Sequence, residues 1–181
     1  MLRLLVTKSA VLLFAVLFSF CLSGAARTPI KLNPGDTPPP SIGVTIDGEE
    51  IVTSKYAGKV LVVTFWASWC GPCKKELPML EGIQRVAGKG QVQVVAVNTE
   101  SPEQFRKIAK TLASLTLQLS HDYRKKSAEA YGVNGIPHLV LIGRDGKVIN
   151  VHRGYSEESI DSILDEINGA LAKKDVAGAS D

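Results

Sequence analysis

The sequence predicts an α/β protein built on a mixed central β-sheet flanked by helices. Three observations lead there. The runs Val60 to Trp66 and Val92 to Val97 are almost continuously apolar and β-branched, as strands covered on both faces are. Each run is followed by a stretch of helical spacing, the alternation that builds a parallel sheet. Asp47-Gly48 and Asp145-Gly146 are hairpin-turn dipeptides, which add antiparallel strands to it.

The elements follow in order. Arg27 to Pro40 holds five prolines with Gly35 and Asp36, so it reads as an extended linker without helix or strand. Ser41 to Ile46 is a strand, Asp47-Gly48 turns it, and Glu49 to Thr53 returns. Ser54 to Gly58 is a short helical turn. After the Val60–Trp66 strand, Leu77, Leu80, Ile83 and Ala87 recur at helical spacing. Pro78 is expected to kink that helix and Gly88 and Gly90 to end it. Ser101-Pro102-Glu103-Gln104 supplies an N-cap, a first-turn proline and a capping box for a helix to about Ser114. Leu117 to Leu119 is a third parallel strand, and Arg124 to Tyr131 a short helix stopped by Gly132. His138 to Ile142 and Lys147 to His152 form the second antiparallel pair. Ser156 opens the last helix, with Ile160, Ile163, Leu164, Ile167 and Leu171 on one face. No internal repeat is visible.

Of 181 residues, 45% are hydrophobic and 22% charged, the balance of a globular protein. The first 26 residues read as an export segment: Arg3 and Lys8, then the apolar run Val11 to Leu22, then the small residues Ser23-Gly24-Ala25-Ala26 for cleavage. An uncleaved inner-membrane anchor is the alternative, although Ala10 to Ala26 is slightly short for a span. Cys21 is a poor lipidation site, because Phe20 stands where a small residue is wanted. Without Arg3 and Lys8, 19 basic side chains face 18 acidic ones, a net of +1. A nearly neutral body gives no electrostatic argument for nucleic acid or an anionic membrane surface. The expected organisation is therefore an export segment over 1–26, a linker over 27–40, a domain over 41–172 and a flexible tail over 173–181.

Cleavage near Ala26 removes one of the three cysteines and leaves Cys70-Gly71-Pro72-Cys73. Such a pair closes a tiny loop and removes little entropy from the unfolded chain, which argues against a structural staple. Zinc normally needs four ligands. No second C-x-x-C exists, and the three histidines are scattered, so no metal site is expected. The reactive reading fits better. The pair lies where a buried strand runs into a helix start, where backbone N–H groups lack partners and the helix dipole is positive. Both effects favour thiolate at Cys70, the nucleophile of disulfide exchange. Cys73, one turn on, is the resolving thiol, and Pro72 is tolerated in the first turn.

Trp69-Cys-Gly-Pro-Cys73 resembles the thioredoxin active site. The longer run Phe65 to Pro78 is similar to the exported TlpA/ResA-type branch of that superfamily. The similarity continues in Val95-Ala-Val-Asn98, in Ala130 to Pro137 and in Leu141 to Val148. The resemblance implies a thioredoxin-like fold with an N-terminal β-hairpin extension. It also implies a redox-active Cys70–Cys73 disulfide with no other cofactor. Ile136-Pro137 matches the family's cis-proline loop, which faces the cysteines and pairs with extended substrate. Glu76 occupies the acidic position near the buried cysteine, where burial raises its pKa and lets it exchange a proton with Cys73; the plainer alternative is a solvated first-turn glutamate. Thr64 stands where thioredoxin has a buried aspartate, which makes Glu76 the substitute. His138 replaces the usual threonine after the cis-proline, either to tune the thiolate or simply as a packed strand histidine. Trp69 belongs at the site mouth and Trp66 in the core.

The implied function is a periplasmic dithiol reductant of client proteins such as cytochrome c precursors, recharged by a membrane thiol donor. A monomer is expected, with the N-terminal segment as a possible membrane tether. The alternatives are a disulfide oxidant or isomerase, a peroxiredoxin-like peroxidase, and a non-catalytic recruitment or Cu(I)-binding module. Ala67-Ser68-Trp69 before Cys70 does not give the Pro-x-x-x-Thr-x-x-Cys context of a peroxidatic cysteine.

Overall fold

Val60–Trp66 and Val92–Asn98 pair in parallel at the centre of a seven-stranded sheet, and every residue of both is buried. A computed structural model describes residues 31–173. The expected export segment and nearly all of the expected tail lie outside these residues. The strands are β1 (Ser41–Val44), β2 (Glu50–Val52), β3 (Val60–Trp66), β4 (Val92–Asn98), β5 (Gln118–His121), β6 (His138–Ile142) and β7 (Val148–Arg153). The helices are α1 (Gly71–Ala87), α2 (Pro102–Thr111), α3 (Lys126–Ala130) and α4 (Glu157–Ala172), with a 3-10 turn at Thr53–Tyr56. The sheet order is β2-β1-β5-β4-β3-β6-β7. β3, β4 and β5 are parallel, while the β1–β2 hairpin and the β6–β7 pair join antiparallel. This is the mixed sheet with an N-terminal hairpin extension that the sequence predicts.

Because strand side chains alternate, the sheet divides the core in two. On one face Val60, Val62 and Trp66 pack with Cys70, Cys73, Leu77 and Leu80 of the α1 region and with Ile163 and Ile167 of α4. On the other, Leu61, Val63 and Phe65 pack with Ile42, Ile51, Ala128 and Tyr131.

Two expectations are corrected. α2 stops at Thr111 and not near Ser114. The reason lies in α1: the Glu81 carboxylate accepts the N–H groups of Thr116 (2.8 Å) and Leu117 (3.2 Å), which turns the chain out of the helix toward β5. α3 starts at Lys126, two residues later than expected, because Asp122 folds back to accept the Ala128 N–H at 2.7 Å. Residues 31–40 carry no helix or strand, as their prolines dictate, and they lie against the domain. Leu32 and Pro38 are buried. Gly35 donates to the Val148 carbonyl, and the Val148 N–H donates to Asp36.

Candidate active site

β3 ends at Trp66 and the chain turns through Ala67–Trp69, closed by the Cys70 N–H donating to the Ala67 carbonyl at 3.1 Å. Cys70 is the N-cap of α1, with extended backbone, and its Sγ accepts the Cys73 N–H at 3.2 Å. Pro72 sits in the first turn, where its missing N–H costs no helix bond. The strand-to-helix junction read from the sequence is therefore formed, and the Cys70 sulfur occupies the place of an N-cap oxygen, facing an orphan helix N–H.

Cys70 and Cys73 are joined in a disulfide. Cys73 is fully buried and Cys70 only 4% exposed. Gly71, Pro72, Lys74 and Lys75 are exposed. Trp69 is 72% exposed while Trp66 is buried against the cysteines, the division expected of the two indoles.

Glu76 follows Cys73 by three residues, which stacks the two side chains on one face of α1. It is not solvated but 1% exposed. The Thr64 hydroxyl donates to its Oε2 at 2.6 Å. Burial pushes the carboxyl up to about 7, against a smaller downward pull from that hydrogen bond. Thr64, at the position of thioredoxin's aspartate, is thus the hydrogen-bond partner of Glu76.

The Ile136–Pro137 peptide bond is cis. Phe65 pairs with His138, so continuing the antiparallel register sets Pro137 level with Trp66, at the sheet end from which the cysteine loop departs. Ile136 is half-buried and packs against both core clusters. Pro137 is buried, and its carbonyl accepts the Gly154 N–H at 2.9 Å.

His138 is placed apart from the disulfide. It lies directly across from Phe65, and the two rings meet edge-on at 6.1 Å, which sets its side chain on the sheet face opposite the cysteines. It is 1% exposed, and neither ring nitrogen has a hydrogen-bond partner among the described residues. Burial, reinforced by Arg153, pushes its pKa down to about 4, so the ring is neutral at physiological pH. The packed reading of this histidine holds.

Sequence reasoning missed Glu100. Its Oε2 accepts the Ser68 N–H (2.7 Å) and Asn98 Nδ2 (2.9 Å), and its Oε1 accepts the Ser68 hydroxyl (2.8 Å). Burial opposes the charge, but these three bonds outweigh it and hold the carboxyl below its ordinary value. No group of three or more His, Cys, Asp or Glu placed to hold a metal occurs among the described residues.

The redoxin family profile matches residues 33–167. Thiol-disulfide oxidoreductase ResA of Geobacillus thermodenitrificans (strain NG80-2) is 31% identical over 135 residues, covering 74% of this chain and 77% of that one. ResA of Bacillus cereus (strain ATCC 10987) is 26% identical over 166 residues, 86% of this chain and 96% of the relative. Among solved structures, a Chlorobium tepidum protein designated thiol:disulfide interchange protein DsbE superposes with a TM-score of 0.68 at 31% identity, over 77% of this chain and 99% of that one. The exposed lipoprotein thioredoxin of Streptococcus pneumoniae strain TIGR4 gives 0.60 at 32% identity, over 70% and 96%. Matched through the whole sheet and through the cysteine loop, the chain belongs to the redoxin family of the thioredoxin superfamily, as a thiol–disulfide oxidoreductase of the ResA/TlpA type.

Proposed function

We propose that this oxidoreductase works outside the cytoplasm as a dithiol reductant of client disulfides, with Cys70 attacking and Cys73 resolving. The observation that carries the assignment is the N-cap geometry: the Cys70 sulfur already accepts the Cys73 N–H at the start of a 17-residue helix. Negative charge at that place is favoured by the helix dipole and the orphan N–H groups.

In the reduced enzyme the Cys70 thiolate attacks one sulfur of a client disulfide and expels the other as a thiolate, forming a mixed disulfide. Cys73 then loses its proton and attacks the Cys70 sulfur. That releases the second client thiolate and re-forms the Cys70–Cys73 disulfide. Glu76 is the acceptor for the Cys73 proton. It is buried on the same helix face, and with a pKa of about 7 it is available in both protonation states. Ile136 and Pro137 hold the client strand: neither the N–H nor the C=O of Ile136 has a partner among the described residues, so both are free for an extended chain. Trp69, next to Cys70 in the chain, offers an exposed apolar surface.

The Gly-Pro pair between the cysteines supports the reducing direction. Export is supported by the first 26 residues and by a relative described as an exposed lipoprotein. Cytochrome c precursors are the client class the ResA/TlpA resemblance implies, and a membrane thiol protein is the donor such a cycle requires. The deciding measurement is the reduction potential of the Cys70–Cys73 couple in defined thiol buffers. A value near or below the roughly −270 mV of thioredoxin is expected. A value near the roughly −120 mV of DsbA overturns the reductant and makes the protein an oxidant or isomerase.

A further inference from the structure

The turn that delivers Cys70 to the helix start is held from a distance. Among the described residues, Glu100 is the only side chain that hydrogen-bonds to residues 67–69, and it does so twice, at the N–H and the hydroxyl of Ser68. Glu100 is itself fixed on three sides. Fully buried Asn98, at the end of β4 and level with Trp66, donates to its carboxylate and accepts its N–H at 3.0 Å. His121, in β5, lies 2.8 Å from the Glu100 carbonyl through Nε2. A carbonyl only accepts, so Nε2 carries the proton. The His121 ring stacks on Phe105 of α2 at 4.6 Å and 4° between planes. The end of β4 thus holds the Glu100 carboxylate and N–H, while β5, backed by the start of α2, holds its backbone carbonyl, and that carboxylate grips the active-site turn.

We propose that Glu100 is a positioning residue for disulfide exchange, holding the Ala67–Trp69 turn so that Cys70 stays at the N-cap of α1 when its bond to Cys73 opens. The proposal rests on Cys70 as the attacking thiol. The disulfide supplies a covalent constraint on Cys70 in the oxidised state, and reduction removes it. What then keeps the thiolate against the helix N–H groups is the turn, and the charge-assisted bonds from Glu100 are the strongest contacts on it. Its negative charge near the thiolate is unfavourable in itself, so the benefit comes from hydrogen bonding and not from the field.

Three variants separate these effects: Glu100→Ala, Glu100→Gln (which keeps an oxygen acceptor for Ser68 without the charge) and Ser68→Ala. The readouts are the Cys70 thiol pKa, from the pH dependence of its alkylation in the reduced protein, and kcat and KM for reduction of insulin disulfides. Glu100→Ala is expected to raise the Cys70 pKa and lower kcat about tenfold with KM little changed, the cost of a misplaced reacting group. Glu100→Gln is expected to recover most of the rate, and Ser68→Ala to lose about two- to threefold. Wild-type pKa and rate in Glu100→Ala overturn the proposal. So does a lower rate without a change in Cys70 pKa, or a Glu100→Gln variant as slow as Glu100→Ala. If Glu100→Ala does not fold, Ser68→Ala decides, and wild-type behaviour there overturns the proposal. A Cys70→Ser variant that still reduces insulin instead refutes Cys70 as the attacking thiol, independently of Glu100.

Discussion

Glu76 and His138 are both buried titratable side chains, and they bend the pH dependence of stability in opposite directions. Glu76 has a folded pKa of about 7 against an ordinary 4.5. The folded state keeps a proton that the unfolded chain gives up, so stability falls as pH rises through that window and levels off above it. Glu76→Gln keeps the Thr64 hydrogen bond and removes the effect. It should gain up to about 3 kcal/mol above about pH 7, at 1.36 kcal/mol per pKa unit, and almost nothing near pH 4. The same variant should slow the resolving step if Glu76 takes the Cys73 proton. His138 runs the other way. Its folded pKa of about 4 lies below the ordinary 6.5, so its contribution is complete above about 6.5 and is lost as pH falls toward 4. His138→Phe, placed edge-on to Phe65, should flatten the acid side of the profile. Urea unfolding of the oxidised protein across pH measures both, and an unchanged acid limb in His138→Phe would assign that limb to other groups. The two residues also differ in how they could be read. The cysteine spacing and the family resemblance locate Glu76, but nothing local reveals which sheet face His138 takes. That depends on its pairing with Phe65, 73 positions away in the chain.

At the scale of elements, α1 does two jobs. Its N-terminus carries the chemistry, and its middle ties the helix to the sheet. Gln84 is fully buried; its Oε1 accepts the Val94 N–H (2.7 Å) and Gln93 Nε2 (3.0 Å), and its Nε2 donates to the Thr116 carbonyl and hydroxyl (2.9 Å each). Gln84→Leu fills similar space but strands a buried β4 N–H and the Thr116 carbonyl. The expected loss is about 2–4 kcal/mol of unfolding free energy, with the exchange rate per folded molecule unchanged. Chemical denaturation beside the insulin assay tests both halves, and a loss below about 0.5 kcal/mol would mean that water replaces the amide without cost. Element type was legible wherever one local signal dominated: β-branched runs for β3 and β4, turn dipeptides for the two hairpins, Ser-Pro for the start of α2. Ends were less so, because α2 and α3 are trimmed by Glu81 and Asp122, carboxylates acting from neighbouring segments. One clue was present and unread. Glu81 and Gln84 fall on the same helical face as Leu77 and Leu80, and polar residues on an apolar stripe announce buried hydrogen bonds. Glu100 had no such periodic signature, since its partner Ser68 is 32 residues away.

For the molecule as a whole, the question is where the folded unit starts. Proline content puts the boundary at Ser41, whereas the contacts put it earlier. Leu32 belongs to the same buried cluster as Tyr131 and Phe65. Tyr131, fully buried, donates its hydroxyl to the Pro39 carbonyl at 2.9 Å. Gly35 and Asp36 pair with Val148 and so cover part of edge strand β7. Removing residues 31–40 exposes one leucine site, deletes five hydrogen bonds to the rest of the domain (Gly35 and Asp36 with Val148, Thr37 with Lys147, Pro39 with Tyr131, Pro40 with Thr53) and leaves a phenol buried without an acceptor. At about 1.5–3 kcal/mol for the leucine and about 1 kcal/mol for each bond, the combined loss is about 6–8 kcal/mol, a large share of a domain's stability. A chain beginning at Ser41 should therefore unfold at a much lower denaturant midpoint than one beginning at Lys31, while a chain beginning at Arg27 should match the latter. Tyr131→Phe, in the longer chain, isolates the phenol contact and should cost about 1 kcal/mol. If the chains beginning at Ser41 and Lys31 share a midpoint, the proline-rich stretch is a tether after all, and the active domain is bounded where its composition changes.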